Sequence, residues 1–177
     1  MLYLEFNFSI EIQERLRELE QARRAIDPYA RLPQEYTGEL RRHALAQTVH
    51  YSTQIEGNTL TFEQVQDLLT GEIVAAPRDQ VQEAENYREA MAYVQSVAAG
   101  ARPWPSQDTI KAIHYLITKS LPGQYAPGRY RTEQNYIVDR RTGTRIFVPP
   151  GPEDVPSLMD EFIAWVNSAD ETPAVLK

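Results

Sequence analysis

Ser52, Glu56 and Gly57 are the residues whose types and spacing most clearly indicate chemistry. A separation of four residues places Ser52 and Glu56 on one helix face, one turn apart. Gly57 readily takes the left-handed conformation that ends a helix, so Glu56 is predicted to lie in the last turn. The helix dipole disfavours a carboxylate there, so Glu56 is predicted to need a cationic partner, most naturally an arginine. The alternative is an ordinary solvated acid at a helix end.

The helix that carries this pair is predicted to run from about Gln34 to Glu56, after a first helix that begins at the N-cap Ser9. A third helix opens at Thr61, whose spacing to Gln64 has the form of a capping box. The small and apolar side chains predicted to face inward on the second helix are Leu40, Ala44, Leu45, Thr48, Val49 and Ser52.

Three more helices and one β-hairpin are predicted in the second half of the chain. Asp79 is expected to cap the fourth helix, Ser106 the fifth, and the sixth begins near Glu153. Asp139-Arg-Arg-Thr-Gly143 lies between two β-prone runs and has the glycine that a hairpin loop needs. The fold class is therefore mainly α with one hairpin. Thr172-Pro173 has the form of a further helix start, as if the chain were cut at the threshold of an element.

Composition excludes several classes of function. The net charge is −7, which argues against nucleic-acid binding because that needs a basic surface. There are no cysteines, so disulfides and thiolate metal sites are excluded. The N-terminus is not a signal peptide, and no apolar run is long enough to span a membrane. We therefore expect a cytoplasmic protein. The spacing of His43, His50 and His114 predicts no metal site.

The pattern Ser52-x-x-x-Glu56-Gly57, followed by Asn58, resembles the inhibitory helix of the Fic-domain family, in the subgroup that carries this helix before its catalytic core. Residues 134 to 148 stand where that family has a hairpin called the flap, which holds a target segment by strand pairing. Further matches in family order are Glu83-x-x-Asn86, Ile110-x-x-Ile113-His114, Pro127-Gly128-x-Tyr130-Arg131, and Val155-x-x-Leu158-Met159 with Phe162 and Trp165.

One part of the family pattern is missing from this chain. The catalytic signature H-P-F-x-D/E-G-N-G-R-x-x-R does not occur in it, and none of the three histidines precedes Pro-Phe. The resemblance therefore covers a C-terminally truncated Fic-like helical bundle and assigns no catalytic residue. It divides the chain into residues 1–75, an N-terminal helical region with the inhibitory helix, and residues 79–177, the first part of a Fic core with the flap.

The resemblance implies transfer of AMP from ATP, with Mg²⁺, to a hydroxyl of a target protein. Glu56 would pair with the last arginine of the signature and keep the γ-phosphate from its productive position, with Ser52, Gly57 and Asn58 completing the inhibitory motif. Ile137 and Val138 are the expected target contacts of the flap, unless the hairpin packs on the helices for stability alone. This chain by itself is expected to be inactive and to bind neither ATP nor Mg²⁺ well.

Two alternatives remain open. The chain could be a complete binding protein that inhibits a separate Fic core in trans through Glu56, or an α-helical adaptor with no link to nucleotides. The apolar residues near the C-terminus, Phe162, Trp165 and Leu176, make self-association an expectation. The target protein and the nucleotide preference are not specified by the sequence.

Overall fold

A computed structural model describes residues 8–29, 34–100, 105–123, 126–170 and 172–173. Within these ranges the chain forms six α-helices and one hairpin, which confirms the predicted fold class. A further helix start was predicted at Thr172, and its continuation, residues 174–177, lies outside the described residues. In chain order the elements are α1 (Ile10–Ile26), α2 (Gln34–Ile55), α3 (Phe62–Thr70), α4 (Arg78–Ala98), α5 (Gln107–Thr118), β1 (Ile137–Val138), β2 (Arg145–Phe147) and α6 (Val155–Val166).

Most of the predicted helix starts are confirmed. The hydroxyls of Ser9, Thr61 and Ser106 each accept a backbone N–H three residues later, which satisfies a donor that the first turn leaves free. The prediction that Asp79 caps α4 is wrong. The carbonyl of Pro77 already accepts the first helical N–H groups, so Asp79 lies inside the first turn, where its charge suits the helix dipole.

The central core joins α2, α3 and α4. Its buried members are Ala46, Val49, Leu60, Val65, Leu68 and Ala84. The inward face predicted for α2 is partly wrong, because Leu40 is 71% exposed and Ala44 and Thr48 are also exposed. The buried face follows Ala46, Val49 and Thr53 instead. Apolar and small residues occur on both sides of α2, and the docking of α3 and α4 selects the side that is buried.

A buried asparagine ties α4 to the end of α5. Asn86 is 1% exposed, and its amide donates to the carbonyls of Ile117 (3.3 Å) and Lys119 (2.7 Å). Ile117 lies in the last turn of α5 and Lys119 is its C-cap, where a helix leaves carbonyls without partners. The amide therefore satisfies the end of α5 and fixes it against α4. No helix in the described part of the chain has the length and apolarity required to cross a membrane.

The hairpin forms where it was predicted but with shorter strands. β1 and β2 pair antiparallel, with Ile137 opposite Phe147 and Val138 opposite Arg145, and the register shifts between the two pairs. Gly143 (φ +71°) supplies the left-handed turn position. This register shift interrupts the hydrogen-bond ladder between the strands. All strand residues are exposed, so packing against the helices does not extend the pairing.

Candidate functional site

The C-terminal end of α2 is a Schellman motif closed by Gly57. The N–H of Asn58 donates to the carbonyl of Thr53 (3.1 Å) and the N–H of Gly57 to that of Gln54 (3.0 Å). Gly57 has φ +101°, in the left-handed region that the motif requires. Glu56 is therefore the C-cap residue, directly after Ile55, so the helix ends one residue earlier than the sequence predicted. Glu56 stands at the negative end of the helix dipole.

Ser52 and Glu56 line the same cavity of about 460 Å³ between the end of α2 and helices α4 and α5. Ser52 is half-buried and Glu56 is exposed. Among the residues that the structure describes, no cationic side chain forms an ion pair with Glu56. The remaining lining residues are Thr53, Ile55, Glu83, Tyr87, Ile117, Thr118 and Leu121. The cavity thus presents two carboxylates, those of Glu56 and Glu83, with several hydroxyl groups.

Asn58 anchors the chain immediately after Glu56. Its side chain is 5% exposed, and its amide nitrogen donates to the carbonyl of Gln80 (2.9 Å) and to the carboxylate of Glu83 (2.8 Å). Its amide oxygen accepts the N–H of Leu60 (3.0 Å). The Gln80 side chain continues the contact, because its oxygen accepts the N–H (3.1 Å) and the hydroxyl (2.7 Å) of Thr59. The end of α2 is therefore fixed to the first turns of α4.

Sequence reasoning missed the part that Gln80 and Glu83 play at this site. The motif Glu83-x-x-Asn86 placed both residues on one helix, but their partners lie far away in the chain: Asn58 for Glu83, and the end of α5 for Asn86. Linear spacing carries no signal for such pairs. Thr53 was also missed; its buried hydroxyl donates to the carbonyl of Val49 (2.9 Å).

The hairpin residues Ile137 and Val138 do not line the cavity of Glu56. Their side chains are 51% and 47% exposed, and within the described residues β1 pairs only with β2. The base of the hairpin is closed by Gln134, whose amide donates to the carbonyl of Pro149 (2.9 Å), and by a hydrogen bond from Arg131 to the carbonyl of Pro150. The strands of the hairpin are thus exposed, and its base is held by these two hydrogen bonds.

The segment before the hairpin is fixed to α5. His114 Nδ1 accepts the N–H of Gly128 (3.0 Å), so His114 is a satisfied boundary residue, as predicted. The hydroxyl of Tyr130 donates to the side-chain oxygen of Gln107 (2.8 Å). Burial, with a smaller contribution from the carboxylates of Asp160 and Asp108, raises the pKa of Tyr130, so the phenol stays a protonated donor.

The other two histidines have a packing role. The rings of His43 and His50 both meet the ring of Phe62 edge-on, with centroid distances of 5.3 and 5.8 Å. This arrangement explains their spacing on α2 without a ligand, because edge-to-face ring pairs are favourable. In the described ranges, no group of three or more acidic or histidine side chains is placed to hold a metal ion.

Comparison with known proteins decides the family. The protein adenylyltransferase Fic of Drosophila yakuba is 30% identical over 164 residues, which are 88% of this chain and 30% of that protein. The protein adenylyltransferase Fic of Nematostella vectensis is 28% identical over 131 residues, 73% of this chain and 29% of that protein. The chain belongs to the Fic family. No family model matches it.

The fold agrees with this assignment. A Fic family protein from Desulfovibrio desulfuricans G20, known from a crystal structure, superposes on 97% of this chain and 48% of its own with a TM-score of 0.71, at 24% identity. The chain spans less than a third of the length of the two curated Fic relatives, 29% and 30%. The ordered motifs that indicated the Fic family in the sequence thus lie in a Fic fold.

Proposed function

We propose that this chain is the regulatory and flap-bearing part of a Fic protein that transfers AMP from ATP to a hydroxyl of a target protein, and that Glu56 inhibits the transfer. The relatives named as protein adenylyltransferases support the reaction class. The observation that carries the regulatory role is the geometry at the end of α2. A carboxylate on a capped helix end lines a cavity together with Ser52 and forms no ion pair within the described residues.

The proposed inhibition is a competition for one cation. The last arginine of the Fic signature would hold the γ-phosphate of ATP, and guanidinium binds carboxylate and phosphate with the same planar geometry. Glu56 is exposed and held at a defined position by the Gly57 cap and the Asn58 anchor, so it can reach such an arginine without first becoming ordered. While Glu56 is paired with this arginine, the γ-phosphate of ATP cannot bind to it.

We propose that the groups for the chemical step belong to the Fic signature. This chain contains no H-P-F-x-D/E-G-N-G-R stretch, and the described residues offer no cluster of metal ligands for Mg²⁺. In this proposal, groups of the signature hold ATP and Mg²⁺. Incubation of the 177-residue chain with labelled ATP, Mg²⁺ and a protein substrate is expected to give no labelled protein.

The substitution Glu56→Gln tests the inhibitory role. In a preparation that supplies the Fic signature, on the same polypeptide or as a separate core, it should raise AMP transfer by on the order of tenfold or more, because the arginine is released to the phosphate. The matched control is Glu39→Gln, which removes an exposed carboxylate near the other end of α2. It should leave the rate of AMP transfer unchanged. Equal rates for Glu56→Gln and the unsubstituted chain would contradict the proposal.

The same assay separates inhibition in cis from inhibition in trans. If Glu56 acts in trans, adding the chain to a separate Fic core should lower the activity of that core, and adding the Glu56→Gln chain should not. If Glu56 acts in cis, the signature should be encoded in frame beyond Lys177, and the added chain should have no effect on a complete enzyme.

The hairpin is proposed to bind the target by strand addition. A free strand edge offers main-chain hydrogen bonds to an extended segment and demands little of its sequence. We expect Ile137→Asp and Val138→Asp to weaken transfer to the target, through a raised KM for the target protein and an unchanged KM for ATP. Ile146→Asp on the opposite strand, 64% exposed, is the control. An unchanged KM for the target in both β1 variants would leave the hairpin with a structural role alone.

A further inference from the structure

We propose that a second site, in the groove between α2, α3 and α4, binds a small amphipathic anion with an apolar body and one carboxylate. The groove is a cavity of about 480 Å³. That volume lies in the range of about 300 to 1,000 Å³ typical of small-molecule sites. Its lining residues are Glu39, Leu40, Arg42, His43, Leu45, Ala46, Gln66, Leu69, Thr70 and Arg88.

The floor of this groove is apolar. Ala46 is 2% exposed and belongs to the central core, and Leu45 and Leu69 pack against that core while remaining partly open. Leu40, which the sequence placed in the interior, is 71% exposed beside them. An apolar body seated here would remove part of these side chains from water, which is favourable at about 25 cal/mol per Å² of apolar surface.

The rim of the groove is basic. Arg42 on α2 and Arg88 on α4 both line it, and among the lining residues that the structure describes Glu39 is the one acid. Within the described residues neither guanidinium lies within 4.0 Å of a carboxylate. Two arginines that form no ion pair with any described residue line one cavity, in a chain whose net charge is −7. Guanidinium is the group best suited to bind a carboxylate in two-point geometry, so an anion is the favoured ligand.

This groove is separate from the cavity of Glu56. Arg42 lies fourteen residues before Glu56 on α2, which corresponds to roughly 20 Å along the helix axis. None of the described residues lines both cavities. The proposed ligand therefore does not compete with the arginine or the phosphate of the proposed inhibition, and the anion site does not depend on that function.

A fluorescent anion provides the test on the whole 177-residue chain. Anilinonaphthalene sulfonate has an aromatic body and one anionic group, and decanoate has an alkyl body and one carboxylate. We expect saturable binding of the dye at one site, displaced by decanoate. Arg42→Gln and Arg88→Gln should each raise the Kd of the dye at least about tenfold, as expected for loss of a charge-assisted contact.

Two controls separate the site from general apolar binding. Arg41→Gln removes a neighbouring guanidinium that donates to the hydroxyl of Thr37 (3.2 Å) and does not line the groove, so it should leave the Kd unchanged. Phenylnaphthylamine, a neutral dye of similar shape, should bind more weakly and respond to neither groove substitution. Since both groove arginines are exposed, the melting temperatures of the variants should match that of the parent chain.

Three outcomes would overturn the proposal. The first is a dye Kd that neither Arg42→Gln nor Arg88→Gln changes. The second is displacement of the dye by an acidic apolar peptide but not by decanoate, which would indicate a peptide groove. The third comes from the parent chain alone: decanoate-induced NMR shifts should centre on the methyl groups of Ala46 and Leu69, and shifts confined to α6 or the hairpin would place the ligand elsewhere.

Discussion

At the scale of single residues, Asn58 is the side chain whose role is best defined by its contacts. It is buried, and it donates two hydrogen bonds to α4 and accepts one from its own loop. Because Glu56 precedes it by two residues, this anchor fixes the backbone next to the carboxylate that we propose to be inhibitory. Burying an amide costs little free energy while all its hydrogen bonds are made. Removing one partner leaves a buried donor or acceptor without a hydrogen bond, and that is costly.

Asn58→Asp keeps the shape and tests this anchor. It removes the donor and sets a second carboxylate against Glu83, at the position where the amide now lies 2.8 Å away. We expect a loss of about 3 kcal/mol in the free energy of unfolding at neutral pH, measured with urea. Asn135→Asp, at an exposed position, should change it by less than about 0.5 kcal/mol.

The pH dependence of the Asn58→Asp variant has a definite sign. Two adjacent carboxylates raise the folded-state pKa of one above its unfolded value, which is about 4. Such a group contributes stability that is present below the unfolded pKa and is lost as pH rises through the folded pKa. The difference from the parent chain should therefore shrink as pH falls towards 4. A difference that stays constant with pH would indicate that the two carboxylates do not meet.

At the scale of elements, one glycine lies inside helix α2 and another lies just past its end, and the two have opposite conformational requirements. Gly57 (φ +101°) closes the helix, and an added Cβ would meet no atom within 4 Å, so a substitution there affects only the backbone. Gly38 lies inside the helix, where an added Cβ would have Arg42 Nη1 at 3.8 Å, an ordinary van der Waals distance. The same change at the two positions therefore separates backbone strain from helix propensity.

Gly57→Ala should lower the free energy of unfolding by about 1 kcal/mol, the cost of a left-handed conformation for alanine. Gly38→Ala should raise it by about 0.5 to 1 kcal/mol, because alanine is the better helix former. Both are measured by urea unfolding of the same chain. Equal signs for the two variants would mean that the helix end is not formed as described.

At the scale of the whole molecule, the packing of α3 and α4 on one side of α2 decides the core. Val49 is fully buried there and Leu40, on the same helix, is 71% exposed. Val49→Ala should lower the free energy of unfolding by roughly 2 kcal/mol through lost burial and a residual cavity. Leu40→Ala should change it by less than about 0.5 kcal/mol. Similar losses in both variants would contradict the assigned face.

The sequence by itself determined the local features of this protein. Capping boxes, the glycine at the end of α2, the hairpin loop and the ordered Fic motifs depend on residues that are neighbours in the chain. The physical reason is that caps and turns are satisfied by backbone groups only a few residues away. For this reason the position of Glu56 at the end of α2, though not the last residue of the helix, followed from spacing alone, as did Ser52 one turn before it.

Only the tertiary structure decided which surfaces meet. The buried face of α2, the contact of Asn58 with Glu83 and the basic groove at Arg42 and Arg88 each join residues from different helices. α2 has small and apolar residues on more than one side, so its periodicity allowed several buried faces. The choice among them depends on the burial gained when α3 and α4 dock, and that free energy belongs to the assembled core rather than to any one segment.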